Sequence, residues 1–133
     1  MCRTQFVLTL VGLFVGLTHS WDIALTVEDR LEFYTNATKT ATVNFDSQKL
    51  TALAYDEVHN MLLYIDKQSS FDAICGYNIS TVENRCYIER NGDIRGLAFD
   101  PITQVLFFTD TKDRSINWLS LEPGSVSNAY GNL

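Results

Sequence analysis

Apolar residues beyond position 20 fall in short runs separated by polar turns, and two of these runs recur in the same order. Leu53-Ala54-Tyr55-Asp56 is followed by Leu62-Leu63-Tyr64-Ile65-Asp66; Leu97-Ala98-Phe99-Asp100 is followed by Leu106-Phe107-Phe108-Thr109-Asp110. The offset is 44 residues throughout, with no gap. Leu53, Ala54, Asp56, Leu62 and Asp66 recur identically, and Tyr55, Val58, Leu63 and Tyr64 recur as Phe99, Ile102, Phe107 and Phe108. A fixed period of this size marks a repeat architecture. Aromatic and β-branched runs bounded by Asp, Asn, Gly and Ser predict strands rather than helices.

Each unit reads as a meander. A first strand ends at Asp56 or Asp100, and a polar turn follows over Glu57–Asn60 or Pro101–Gln104. A second strand ends at Asp66 or Asp110, and a third spans Ala73–Ile79 or Ser115–Leu121, with Ala73-Ile74 matched to Ser115-Ile116 at a displacement of two. Arg85–Glu89, before Asn91-Gly92, supplies a fourth strand. About four strands in about 44 residues is the size of one propeller blade. The fold class expected is therefore all-β, an incomplete β-propeller with about two to three blades, its repeat units covering roughly 53–96 and 97–133. Upstream, Trp21–Thr26, Leu31–Tyr34 and Ala41–Phe45 are strand-like; they read as a strand lent to a closing blade, followed by the outer part of a blade.

The start of the chain changes the cellular picture. Arg3 precedes an uncharged stretch, Phe6 to Leu17, with small residues Thr18 and Ser20 before Trp21. That is the layout of a secretory signal over residues 1–20, too short to span a bilayer. Its removal leaves 113 residues with nine basic against sixteen acidic side chains, a net charge of −7. Such a balance argues against a nucleic-acid partner, which requires a basic face. Two acceptor sequons, Asn36-Ala37-Thr38 and Asn78-Ile79-Ser80, fit the same compartment. So do Cys75 and Cys86, the two cysteines left after the signal. They fall on the expected third and fourth strands, where a cross-strand disulfide fits; two free buried thiols are the alternative.

Little in the chain suggests chemistry. His59, the one histidine after the signal, sits in a polar turn, and no Ser/His/Asp or Cys/His set assembles. Gly92 and Gly96 belong to turns rather than to a phosphate loop, and the cysteine spacing excludes a Cys-x-x-Cys motif. Asp56, Asp66, Asp100 and Asp110 end strands, where carboxylates close turns by accepting amide hydrogens. Calcium ligation is the other reading of Asp66 and Asp110, but it needs about six to eight converging oxygens, which two aspartates in separate units do not supply. Tyr64 and Phe108 alternate with their neighbours and are expected to fill the wedge between sheets. No cofactor, metal or catalytic residue is expected.

Leu63-Tyr64-Ile65-Asp66 and Phe107-Phe108-Thr109-Asp110, with the strands before them, resemble the Tyr-Trp-Thr-Asp repeats of low-density lipoprotein receptor class B propellers. Both copies are degenerate: the second keeps Thr-Asp and the first only Asp. Gly96 to Pro101 followed by Phe108 to Thr111, and the opening Trp21-Asp22, are similar to an insect member of that group. In that member the propeller precedes epidermal-growth-factor-like modules and one transmembrane helix. The resemblance implies a non-enzymatic, receptor-like protein at the cell surface whose propeller binds an extracellular protein ligand, with a link to spermatogenesis and oogenesis. A secreted, calcium-dependent lactonase-like propeller hydrolase and a short secreted binding protein are the competing expectations. A six-bladed ring needs roughly 264 residues at about 44 per blade, so the chain is expected to be part of a larger membrane protein, with an aromatic face around Phe107, Phe108 and Trp118 left open.

Overall fold

A computed structural model describes residues 7–9, 21–122 and 130–132. Of the expected signal, 1–6 and 10–20 lie outside the described residues, as does the polar stretch 123–129. The described strands are β1 (Val7–Thr9), β2 (Ile23–Val27), β3 (Arg30–Thr35), β4 (Thr38–Asn44), β5 (Lys49–Asp56), β6 (Met61–Lys67), β7 (Asp72–Asn78), β8 (Glu83–Arg90), β9 (Ile94–Asp100), β10 (Val105–Asp110), β11 (Ser115–Ser120) and β12 (Tyr130–Asn132). They form three four-stranded antiparallel sheets, β1-β2-β3-β4, β5-β6-β7-β8 and β9-β10-β11-β12, each a meander in sequence order. No helix occurs among the described residues. The first strands of successive sheets pack side by side, β5 against both β1 and β9.

The upstream strands differ from the sequence expectation. They are not divided between a closing strand and an outer half-blade; β2, β3 and β4 are consecutive strands of one sheet, with Val7–Thr9 paired onto β2. Tight turns explain this. Thr35 pairs with Thr38 across Asn36-Ala37, whose φ values of 50° and 60° are those of a two-residue hairpin loop matched to strand twist. Glu28, at φ 53°, turns β2 into β3.

The 44-residue period appears as structural equivalence between the second and third sheets. Tyr64 pairs with Leu53 and Cys75; Phe108 pairs with Leu97 and Asn117. The two-residue displacement of the third strand lies in the turn before it. Asp66 pairs with Ala73 and Asp110 with Ser115, so the later turn is two residues shorter. Each first strand carries a register shift at the same repeat position, around Ala52 in β5 and before Leu97 in β9. A bulge inserts one residue and resets the period-two alternation. Leu50 and Leu53, three apart, therefore face the same core, while Ala52 takes φ 51°.

Alternation divides the second sheet cleanly. Leu62, Tyr64, Ala73, Cys75 and Tyr77 pack with Leu31 and Phe33 of the first sheet and with Trp21 just before it. Leu63, Ile65 and Ile74 pack with Ile94, Leu106, Phe108 and Leu119 of the third. A central sheet covered on both faces requires the near-continuous apolar runs seen in β6 and β7. Trp21 meets Phe33 and Tyr55 edge-on, at ring separations of 5.7 and 5.3 Å, and Phe45 meets Tyr64 at 5.2 Å. Burial pushes the Tyr64 hydroxyl pKa up, and that hydroxyl donates to Asn84 Oδ1 at 2.8 Å. Phe108 does not join an open aromatic face as expected: it is 1 % exposed, pointing into the second sheet. Phe107 and Trp118, register partners, lie on the other face of the third sheet, each only partly buried.

Candidate functional site

Antiparallel order sorts the turns to two ends of the sheets. β5, β7 and β9 begin at one end, where the Glu28–Asp29 turn also sits, its carbonyls accepting from Leu50 N at 2.5 Å and Phe45 N at 2.9 Å. The opposite end carries the β3–β4, β5–β6, β7–β8 and β9–β10 turns. The first is the charged end and the second the sequon end.

At the sequon end, the repeat aspartates close their turns. Asp56, fully buried, accepts from Val58 N at 3.1 Å and His59 N at 3.3 Å, and its Oδ2 lies 2.6 Å from His59 Nδ1. Asp100 accepts from Ile102 N at 3.0 Å and Thr103 Oγ1 at 2.6 Å; the Thr103 bond, then the Ile102 amide, lowers its pKa. Val58 and Ile102, 44 apart, crown these turns at 71 % and 91 % exposure. Asn36 is exposed, its backbone amide donating to Asp22 Oδ2 at 2.8 Å. Asn78 is more engaged: its Oδ1 accepts from Ser80 N and Thr81 N at 2.9 Å each, and its Nδ2 donates to His59 O at 3.2 Å. Within the second sheet, Cys75 of β7 and Cys86 of β8 are register partners and are joined in a disulfide. Asn117, fully buried, takes the place of Cys75 in the third sheet.

The charged end holds the other two repeat aspartates. Asp110 Oδ1 accepts from Asp93 N and Lys112 N at 3.0 Å and from Asp113 N at 3.4 Å. Burial alone would raise its pKa; the Asp93, Asp113 and Lys112 amides outweigh that and hold it low. Arg90 Nε lies 3.2 Å from Asp110 Oδ2, near enough for ionic attraction but out of hydrogen-bond alignment. Asp66 instead binds side chains, accepting from Ser47 Oγ and from Gln68 Nε2 at 2.9 Å. The two aspartates thus sit in separate sheets with separate partners. Among the described residues no group of three or more His, Cys, Asp or Glu is placed to hold a metal ion.

Sequence reasoning missed the residues between them. Asp72, nearly buried at the start of β7, accepts through Oδ2 from Lys67 Nζ at 2.5 Å and Ile94 N at 2.8 Å, tying the second sheet to the third. Asp93 accepts from Thr111 Oγ1 at 2.5 Å, Arg95 Nη2 at 2.8 Å and Lys67 Nζ at 3.1 Å. Those bonds, Thr111 first and then Arg95 and Lys67, hold its carboxyl well below the usual carboxylate range. Asp72 and Asp93 border the turns where the repeats differ, so alignment of one unit on the other does not reveal them.

No protein-family model matches the chain. Among curated proteins it is similar to protein cueball of Drosophila ananassae, 30 % identical over 115 residues that make up 80 % of this chain and 18 % of that protein. It is also 28 % identical to cueball of Drosophila yakuba over 126 residues, covering 86 % of this chain and 20 % of that protein. With cueball of Drosophila virilis the identity is 26 % over 110 residues, 77 % of this chain and 17 % of that protein. The chain spans about a fifth of the length of these relatives. An all-β chain of repeated four-stranded meanders is thus, over most of its own length, similar in sequence to the cueball proteins of fruit flies.

Proposed function

We propose that this chain is part of a cueball-like, receptor-like protein of the cell surface, and that its meanders are blades of a six-bladed class B propeller used to bind an extracellular protein. The observation that carries the reading is the equivalence of two sequential sheets at the 44-residue period, strand for strand and bulge for bulge. The packing of β9 beside β5 supports a radial arrangement, and similarity to cueball supports the class of protein. On this reading the chain enters the secretory pathway through residues 1–20, carries glycans at Asn36 and Asn78, and acts by binding rather than catalysis. A role in sperm and egg development follows from the family resemblance.

The test is expression of the tagged protein in insect cells. Surface biotinylation, with mass analysis before and after glycosidase, should place it on the extracellular side with both sequons occupied. Asn36→Gln should remove one glycan at a small cost in stability, since Asn suits the φ of 50° in that turn better than Gln; Asn78→Gln should remove one glycan and lower the melting temperature further, because its side chain holds the β7–β8 turn. A protein retained in the cytosol without glycans would overturn the reading.

A further inference from the structure

The charged end contains a cavity of about 380 Å³ between the second and third sheets, lined by Lys49, Thr51 and Ala52 of β5, Lys67 and Asp72, and by Asp93 and Arg95 across the interface. Two of its three cations are committed. Lys67 bridges Asp72 and Asp93, and Arg95 holds Asp93 Oδ2 through Nε at 3.0 Å and Nη2 at 2.8 Å. Lys49 is exposed, and no carboxylate among the described residues lies within ion-pair distance of it. The cavity therefore carries one surplus positive charge on a chain whose net charge is −6. Thr51 adds a buried hydroxyl that no group among the described residues satisfies, beside the bulge where Ala52 takes φ 51°. Unmet buried donors and bulges in a strand are features of binding sites.

We infer that this cavity receives a carboxylate side chain, Asp or Glu, from an extracellular protein partner, with Lys49 as the ionic contact and Thr51 as a hydrogen-bond donor. The inference rests on the binding-module reading above and names the chemistry its ligand presents. A single negative charge matches the surplus, whereas a polyanion would meet the carboxylates of Asp72 and Asp93 and the net negative charge of the chain. The end is also accessible. Asn36 and Asn78 both lie at the opposite end, so glycans there would leave the cavity mouth open.

The test is fluorescence anisotropy on the secreted protein. The probes are a labelled acetyl-Gly-Gly-Glu-Gly-Gly amide and its neutral counterpart acetyl-Gly-Gly-Gln-Gly-Gly amide. The acidic peptide should bind at least about tenfold more tightly, the difference one charged contact supplies. Lys49→Gln should abolish that preference and Lys49→Arg should keep it. Acetate should compete at lower concentration than inorganic phosphate. Thr51→Val, which keeps the shape of the side chain, should weaken the acidic peptide and provides the same readout should Lys49→Gln not fold. Equal binding of the two peptides, indifference to both Lys49→Gln and Thr51→Val, or stronger competition by phosphate would overturn the assignment. Secretion and glycosylation are scored on the same preparation. A secreted, glycosylated protein that ignores the acidic peptide overturns the cavity assignment alone.

Discussion

Tyr64 and Phe108, 44 residues apart, are each 1 % exposed and hold the same place in their sheets, yet they lie in different cores. Tyr64 points into the first sheet and Phe108 into the second. Each second strand thus sends its aromatic to the preceding sheet, and in β6 the neighbours Leu63 and Ile65 enter the core shared with the third sheet, so that one strand builds two interfaces.

Truncating these rings should be among the most damaging single changes. Phe108→Ala and Tyr64→Ala each remove a fully buried ring and are expected to cost about 3–5 kcal/mol. Ile102→Ser and Val58→Ser, at exposed turn tips, should lie within about 0.5 kcal/mol of the parent. Denaturant unfolding followed by tryptophan fluorescence compares the four. Similar losses at the tips and at the rings would contradict the packing.

Gly92 is confined by the carboxylate of Asp110. A Cβ at Gly92 would collide with Asp110 Oδ2, while one at Gly96 would meet only Thr109 Oγ1 at 3.3 Å. Asp110 cannot yield readily, since three backbone amides hold its other oxygen. Gly92→Ala should therefore destabilise by about 1–3 kcal/mol, and Gly96→Ala by clearly less. Melting temperatures of the two variants check the order.

The Cys75–Cys86 bridge closes a loop with a sequence separation of 11. Constraint of the unfolded chain by a loop of that size contributes about 3 kcal/mol in the chain-entropy treatment. The double variant Cys75→Ala/Cys86→Ala should unfold at lower denaturant than the oxidised parent, and reductant should lower the parent but not the variant. A parent that gains two mass units on reduction and shows no loss of stability would place the loop outside the cooperative unit.

Acid should unfold this protein late. Glu32, Asp93, Asp100 and Asp110 all have pKa values lowered in the folded state, Glu32 first by the Arg30 hydrogen bond and then by Tyr34. A carboxylate with a depressed folded pKa contributes stability that is complete above its unfolded pKa and is lost as pH falls through the folded value. With unfolded values near about 4, stability from these groups should hold down to about pH 5 and decline progressively below about pH 4. Melting temperature measured from pH 7 to pH 2 gives the curve. Glu32→Gln should flatten its acid limb, because the bonds from Arg30 Nε at 2.8 Å and Tyr34 Oη at 2.7 Å then have no ionised acceptor.

The sequence by itself determined the strands from Leu53 to Leu121, their order and the equivalence of the two units, because short apolar and aromatic runs bounded by polar turn residues recur at a fixed period. Asp56 and Asp100 were legible for the same reason: capping is local, acting on amides two and three residues on. Only the tertiary structure decided which core each face enters. The bulge at Ala52 resets the alternation, and nothing in Leu50-Thr51-Ala52-Leu53 announces a left-handed residue there. It also placed Trp21 to Phe45 as one sheet with its apolar residues against the second, a pairing no internal repeat foretold. The charged end was invisible for a related reason. Lys49, Lys67, Asp72, Asp93 and Arg95 are scattered along the chain in segments without periodicity. They become neighbours only when antiparallel strands return to the same end and the third sheet closes over the second.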